Sequence, residues 1–231
     1  MLEKLKNIVF KANLDLVDKG LVIHTWGNVS GKDFKSGFII IKPSGVNYES
    51  MKPDDMVVID QEGKVVEGKF KPSTDAPTHL LLYKTYESLG GVVHTHSSYA
   101  TSWAQAGRAI PPLGTTHADH FYGEVPCTRL LTKKEIESDY EINTGRIIIE
   151  KLGAVNPLAV PSVLVNGHGP FCWGNDAENA VYNAVALEEI AKMAFYTVLL
   201  GKTEPISKFL LDKHFKRKHG SDAYYGQGKS V

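Results

Sequence analysis

Short apolar segments separated by turn residues are the feature that most constrains the fold of this chain. Residues 38–41, 57–59 and 92–96 have the length and β-branched content of strands, and Gly, Pro, Asn and Asp lie between them. Helical periodicity precedes and follows them, at residues 2–18 and 176–200. We therefore predict an α/β fold, a three-layer α/β/α sandwich with a mainly antiparallel central sheet.

The other predicted elements are short. Further strands are expected at 22–23, 65–66 and 162–165, and further helices at 78–86 (capped by Ser73 or Thr74), 97–106, 133–136 and 147–152. Residues 107–130 are rich in Gly, Pro, Thr and His, so we expect loop with short strands there. No repeat or low-complexity linker interrupts this order, and we expect a single domain over residues 1–231.

The charge and cysteine content narrow the functional classes. Across the 231 residues, 26 basic side chains balance 26 acidic ones, which argues against a general nucleic-acid binder. Cys127 and Cys172 form no metal-type pair, so two free thiols in a reducing compartment are expected. The first residues lack the apolar core of a signal peptide and no apolar run would span a bilayer, so we expect a cytoplasmic protein with no membrane partner.

Three histidines at predicted strand ends are candidates for a metal site. His94 and His96 are two residues apart, so their side chains point to one face of a strand. His168 follows a second predicted strand and lies between two glycines, which let its backbone approach another strand end. The alternative is that these side chains only form hydrogen bonds. Three imidazoles and an open position are typical of a catalytic zinc site rather than a structural one.

Zinc is the metal that we expect, although manganese and cobalt also bind imidazole groups. Asp75 is a candidate fourth ligand, or a carboxylate that orients the ligands. A metal at this place would act as a Lewis acid on substrate oxygen atoms and would stabilise an enediolate.

Three polar turns are candidates for binding a phosphate group. Gly-containing turns and Ser or Thr hydroxyls offer donors that suit phosphate oxygens, although ordinary turn chemistry explains each turn equally well. The candidates are Gly27, Asn28, Lys42, Ser44, Gly45, Ser73 and Thr74.

Six segments of the chain together resemble the class II aldolase/adducin-head family. They are residues 25–30 (TWGNVS), 42–45 (KPSG), 94–97 (HTHS), 114–119 (GTTHAD), 168–171 (HGPF) and 224–227 (YYGQ). The resemblance covers essentially the whole chain. The GTTHAD segment and the C-terminal tail resemble the epimerase branch, whose members interconvert L-ribulose 5-phosphate and D-xylulose 5-phosphate.

The resemblance implies an α/β/α fold, a C4 homotetramer and active sites between neighbouring subunits. It implies one zinc ion per subunit at His94, His96 and His168, with Asp75 beside them. The polar turns would hold the phosphate of a ketopentose substrate, although Thr74 stands where a serine is common. Asp119 and Tyr225 would act as the acid/base pair for retro-aldol cleavage of C3–C4, rotation of the aldehyde and its re-addition.

Two other functions remain open at this point. One is a sugar-phosphate aldolase of the fuculose or rhamnulose type, which releases its aldehyde, and the other is a non-catalytic scaffold like the adducin head. Arabinose and ascorbate catabolism both use the epimerase reaction, and the sequence does not choose between them. Glu141, His214 and His219 are reserve candidates for the site, whereas Trp26, Trp103 and Trp173 are expected to be packing residues.

Overall fold

In a computed structural model of the chain, which describes residues 2–220 and 223–226, seven strands form one sheet. The strands are β1 (Gly27–Lys32), β2 (Ile39–Ile41), β3 (Val57–Ile59), β4 (Val65–Glu67), β5 (Gly91–Thr95), β6 (Ser162–Val165) and β7 (Gly169–Gly174). Their order across the sheet is β4-β3-β2-β1-β5-β7-β6, and neighbouring strands pair antiparallel. Strand β5 therefore lies in the interior of the sheet, between β1 and β7.

Helices cover both faces of this sheet. They are α1 (Leu2–Asp18), α2 (Ala76–Thr85), α3 (Ser98–Gln105), α4 (Thr115–Ala118), α5 (Lys133–Glu137), α6 (Tyr140–Leu152), α7 (Ala177–Leu199) and α8 (Lys208–Lys218). One apolar core joins α1, α3 and α7 to one sheet face, and a second core joins α2 and α6 to the other. The predicted three-layer α/β/α sandwich with an antiparallel sheet is confirmed. Within the described part of the chain, none of the helices has the length and apolar character needed to cross a bilayer.

Glycine at the start of β5 lets α7 begin directly against the sheet. A Cβ atom on Gly91 would lie 2.2 Å from the backbone oxygen of Asp176, and a Cβ atom on Gly90 would lie 1.9 Å from that of Asn175. Backbone atoms at these distances cannot give way as a flexible side chain can, so only glycine fits. The N-terminus of α7, capped by Asp176, is thereby fixed next to β5.

The structure adds two interior strands and two helices to the sequence prediction and removes one strand. Helix α4 lies within residues 107–130, where loop with short strands was expected. Strand β1 is GNVSGK, which has no apolar alternation, and β7 contains Pro and Gly, which are rare in central strands. Helix α8 is so rich in lysine and arginine that it resembled a charged tail. Residues 22–23, predicted as a strand, lie in the turn before β1. Tertiary packing, rather than local propensity, decides these segments.

Candidate metal-binding site

The three histidines singled out in the sequence converge in space. His94 lies on β5 and His96 directly follows it, and the centroids of their rings are 4.9 Å apart. His168 lies in the turn between β6 and β7, and its ring is 4.6 Å from that of His94 and 5.1 Å from that of His96. Each imidazole offers one nitrogen atom, and these three atoms lie within 4.8 Å of one another.

Hydrogen bonds and packing orient His94 toward the other two rings. Its Nδ1 donates to the backbone oxygen of Pro170 at 2.9 Å, since a carbonyl oxygen can only accept. Its Nε2 is therefore left facing Nε2 of His96 at 3.1 Å. The ring of Phe171 stacks on His94 with centroids 4.2 Å apart, which restricts rotation of the imidazole.

The protonation of the cluster suits a cation. Burial lowers the pKa of His168 to about 3, and partial burial moves the pKa of His96 below its usual value. Both rings are therefore neutral at pH 7, and their lone pairs are available. Nδ1 of His168 is buried without a hydrogen-bond partner among the described residues. Facing lone pairs and an unpartnered buried nitrogen are the donor set that a divalent metal ion requires.

Gly169 allows the turn that carries His168 to approach β5. A Cβ atom at this position would lie 2.8 Å from the backbone oxygen of Thr95. A larger residue would therefore push the β6–β7 turn away from the end of β5 and separate His168 from the other two rings.

Asp75 lies beside the three histidines but does not belong to the group of converging nitrogen atoms. Its Oδ2 accepts a hydrogen bond of 2.7 Å from Nδ2 of Asn28, whose backbone pairs with His94 in the sheet. Burial raises the pKa of Asp75, but interactions with the neighbouring imidazoles of His94 and His79 and the Asn28 hydrogen bond outweigh burial and lower it. Asp75 is thus an ionised carboxylate next to the cluster.

One cleft of about 560 Å³ contains the histidines, Asp75 and all of the candidate phosphate turns. Its lining residues are Thr25, Trp26, Gly27, Asn28, Lys42, Pro43, Ser44, Gly45, Ser73, Thr74, Asp75, His94, His96, Tyr140, Glu141 and His168. The backbone N–H groups of Ser44 and Ser73 already donate to backbone oxygens of Lys71 and Lys42. Ser44 and Ser73 can therefore offer a ligand their hydroxyl groups but not their backbone N–H groups.

Lys42 stabilises the Ser44–Gly45 turn through buried hydrogen bonds. Its side chain is buried, with only 2% of the residue exposed, and Nζ donates to the backbone oxygens of Val46 at 2.8 Å and Pro43 at 3.3 Å. The ammonium group also lies 4.7 Å from the centre of the Tyr48 ring. Burial lowers the pKa of Lys42 to about 8, so the ammonium form still dominates at pH 7. Lys42 therefore shapes the Ser44–Gly45 turn and adds positive charge behind it.

Asp119 and Tyr225 lie together in a second cleft of about 420 Å³. Among the described residues, the two clefts share no lining residue. Asp119 is 8% exposed, and its carboxylate accepts hydrogen bonds from Arg217 (3.0 and 2.7 Å) and from Nδ1 of His214 (3.0 Å). The ring of Tyr225 lies 4.5 Å from Nζ of Lys218 and 5.0 Å from the guanidinium carbon of Arg217. Within one chain, the candidate acid/base pair is thus apart from the histidine cluster.

Replacing Asp119 with asparagine is expected to lower the free energy of unfolding by about 1–2 kcal/mol at pH 7, because charged hydrogen bonds are lost. Burial raises the pKa of Asp119, but Arg217 and His214 outweigh burial and hold it at about 2, against an ordinary value of 3.8. The ionised carboxylate therefore stabilises the fold above pH 4, and this contribution disappears as the pH falls toward 2. Urea denaturation from pH 7 to pH 3 should show the difference between wild type and variant shrinking below pH 4.

The exposed Asp15 provides the matched control, and Asp15→Asn should change the denaturation midpoint little at any pH. A stability difference for Asp119→Asn that stays constant down to pH 3 would show that the ion pairs of Asp119 do not stabilise α8.

The structure also places residues to which sequence reasoning gave a smaller part or none. Tyr140 lines the metal cleft, with its ring 6.3 Å from that of His168, and no motif marked it. The reserve candidate Glu141 lines the same cleft, while His214 and His219 contact Asp119 instead. Trp26, expected to be a packing residue, is 54% exposed at the metal cleft, and this expectation was wrong.

Trp103 and Trp173 are buried packing residues, as expected. Their indole N–H groups donate to backbone oxygens of Ala191 and Pro157, at 3.0 and 2.7 Å.

The sequence of the chain resembles that of known proteins. The family model described as Class II Aldolase and Adducin N-terminal domain matches residues 7–195. L-ribulose-5-phosphate 4-epimerase UlaF of Salmonella paratyphi B (strain ATCC BAA-1250 / SPB7) is 59% identical over 227 residues, which is 98% of this chain and all of the relative. The same enzyme of Salmonella paratyphi C (strain RKS4594) is 60% identical over the same coverage.

Solved structures with the same fold are more distant in sequence. An L-fuculose 1-phosphate aldolase has a TM-score of 0.79 and 24% identity, over 93% of this chain and 95% of the aldolase. L-fuculose 1-phosphate aldolase from Glaciozyma antarctica PI12 has a TM-score of 0.76 and 19% identity, over 96% of this chain and 84% of the aldolase. At these identities the likeness shows the shared fold.

Proposed function

The chain belongs to the class II aldolase and adducin N-terminal domain family, and from this membership we propose that it is a metal-dependent L-ribulose-5-phosphate 4-epimerase. The observation that carries the proposal is the convergence of His94, His96 and His168 in the cleft that also holds the phosphate-type turns. Identity of about 60% with curated epimerases along nearly the whole chain favours the epimerase over the aldolase branch.

His94, His96 and His168 would hold one divalent ion per subunit, zinc first and manganese or cobalt as substitutes. When bound, the metal supplies Lewis-acid polarisation of substrate oxygen atoms. In this proposal Asp75 is the carboxylate next to the ligands. Its bond to Asn28 keeps it ionised and oriented toward the cleft, where it balances positive charge.

The polar turns bind and orient the substrate through its phosphate group. Hydroxyl groups of Ser44, Ser73 and Thr74, together with the amide N–H of Gly45, suit phosphate oxygens, and Lys42 adds positive charge behind them. An anchored phosphate is a requirement of the proposed reaction. After C3–C4 cleavage the aldehyde fragment must turn over and present its other face while it stays bound.

Proton transfer at the C4 oxygen requires two groups, because this oxygen loses a proton on one face and gains one on the other. We assign these roles to Asp119, acting with its hydrogen-bonded His214, and to the phenol of Tyr225. Both lie outside the metal cleft of their own chain. The proposal is therefore that a neighbouring subunit of a C4 homotetramer brings them to the site.

We further propose that residues 1–231 form one domain of this family and that the protein works in the cytoplasm. The free thiols of the buried Cys127 and Cys172 are consistent with a reducing compartment. The reaction would supply D-xylulose 5-phosphate to sugar breakdown, of which arabinose catabolism is one route.

The proposed function is tested by incubating the metal-loaded protein with L-ribulose 5-phosphate, with and without a chelator. D-xylulose 5-phosphate should form, and the chelator should abolish its formation. Accumulation of free glycolaldehyde phosphate without xylulose 5-phosphate would instead show an aldolase, and L-fuculose 1-phosphate as substrate would then identify the fuculose type. A protein that retains no divalent ion and turns over neither substrate would be a non-catalytic scaffold like the adducin head.

A further inference from the structure

Trp26 is a large, exposed apolar side chain at the edge of a cleft that is otherwise mainly polar. More than half of its surface, 54%, is in contact with solvent, although it lines the same cleft as the histidines and the phosphate turns. The other two tryptophans are buried in the protein interior. Packing within this chain therefore leaves the indole group accessible from the cleft.

The position of Trp26 relative to the histidines follows from the sheet register. Gly27 pairs with Thr95, and Asn28 pairs with His94, in the antiparallel ladder between β1 and β5. Trp26 immediately precedes Gly27, and His96 immediately follows its partner Thr95. His96 is the exposed member of the histidine cluster. Trp26 and His96 consequently lie at the end of these strands where the cleft opens to solvent.

The backbone before Trp26 is held in an uncommon conformation. His24 has a φ of 55°. Among the described residues, no other residue except glycine has a positive φ. The N–H of Trp26 donates to the backbone oxygen of Ile23 at 3.1 Å, which closes a tight turn. The ring of His24 meets that of Trp26 edge-on, with centroids 5.7 Å apart. This turn fixes where the chain enters β1 and so holds Trp26 at the edge of the cleft.

We infer that Trp26 covers the bound substrate and keeps the aldehyde fragment in the cleft, an inference that rests on the proposed epimerase function. When the C3–C4 bond breaks, its electron pair stays on the ketone fragment and the C4 hydroxyl gives up its proton. The other fragment is an aldehyde held by its phosphate alone. An aromatic face packs against the C–H groups of this fragment and closes its route to solvent. Trp26 therefore determines whether the fragment re-adds or escapes.

Trp26→Ala is expected to raise the ratio of free glycolaldehyde phosphate to D-xylulose 5-phosphate by at least tenfold, while Trp26→Phe, which retains an aromatic face, changes it much less. Both products are measured from the same incubation of the metal-loaded protein with L-ribulose 5-phosphate. Phe34→Ala is the matched control, because Phe34 is 59% exposed and lines a different cleft. It should leave the product ratio unchanged. An unchanged ratio in Trp26→Ala would overturn the inference.

A fluorescence measurement tests the same inference without turnover. Because the other two tryptophans are buried, acrylamide should quench mainly Trp26 in the metal-depleted protein. Glycolaldehyde phosphate should protect this fluorescence from quenching, and the protection should be absent in Trp26→Phe. Quenching that glycolaldehyde phosphate does not alter would contradict the inference.

The experiments distinguish a failure of the proposed epimerase function from a failure of the proposed role of Trp26. Wild-type protein that forms no xylulose 5-phosphate removes the epimerase function itself. Wild-type epimerase activity together with an unchanged product ratio in Trp26→Ala removes only the role of Trp26.

Discussion

Replacing His96 with alanine is expected to remove divalent metal binding and to reduce turnover of L-ribulose 5-phosphate by at least about 1000-fold. The magnitude follows because the Lewis acid contributes several kcal/mol to stabilising transition-state charge, and about 4 kcal/mol corresponds to a factor of about 1000. His96 is preferable to His94 for this test. His96 is exposed, whereas His94 is buried and stacked on Phe171. Loss of the His94 side chain would therefore also disturb the core.

Two measurements separate loss of metal from loss of fold. Metal content after gel filtration should fall from one ion per subunit to none, while the circular dichroism spectrum should match that of wild type. His24→Asn is the matched control, because asparagine tolerates the positive φ of this exposed position and His24 lies outside the cluster. It should retain a full complement of metal. A metal-free His96→Ala variant with near-wild-type turnover would eliminate the proposed site.

Replacing Tyr225 with phenylalanine is expected to lower turnover by about 10²–10⁴-fold, the contribution of one positioned acid or base. Only the phenol oxygen is lost, and the ring can still pack on Arg217 and Lys218. Metal content and the unfolding midpoint should therefore stay at the wild-type values. Lys213→Met is a matched control, because Lys213 lies over the ring of the neighbouring Tyr224 instead, and turnover should change little.

Mixing the two inactive variants tests whether Tyr225 acts across a subunit boundary. If each site combines the histidines of one subunit with the tyrosine of its neighbour, tetramers reassembled from equal amounts of His96→Ala and Tyr225→Phe regain about a quarter of their sites. Activity should therefore rise from near zero toward that fraction. Mixtures that stay as inactive as the separate variants would show that Tyr225 does not complete a neighbour's site.

Much of the sheet could be predicted from the sequence because most of its strands carry β-branched runs. Ile39–Ile41, Val57–Ile59 and β5 are of this kind. Strand β1 could not be predicted from the sequence, because its polar residues become buried only through partners far along the chain. Ser30, for example, bonds to His79 and Tyr83. The local sequence does not contain these partners, so the strand cannot be recognised from it.

The candidate site was predictable to a different extent. Strand periodicity put His94 and His96 on one face, and glycines marked His168, since these are local relations. The separation of Asp119 from the histidines could not be predicted, because it depends on how α8 packs on residues 115–119. The exposure of Trp26 was likewise missed, since an aromatic residue before a strand usually belongs to the core.

The interior position of β5 has a consequence for how the proposed site would take up a metal ion. The strand is hydrogen-bonded on both edges, by β1 and β7, so the backbone under His94 cannot relax unless the whole sheet opens. The conformational entropy of ordering His94 is therefore lost when the chain folds and would not be lost again when an ion binds. In the proposed site His94 would therefore be a preorganised ligand, whereas His96 and His168 lie just outside the strands.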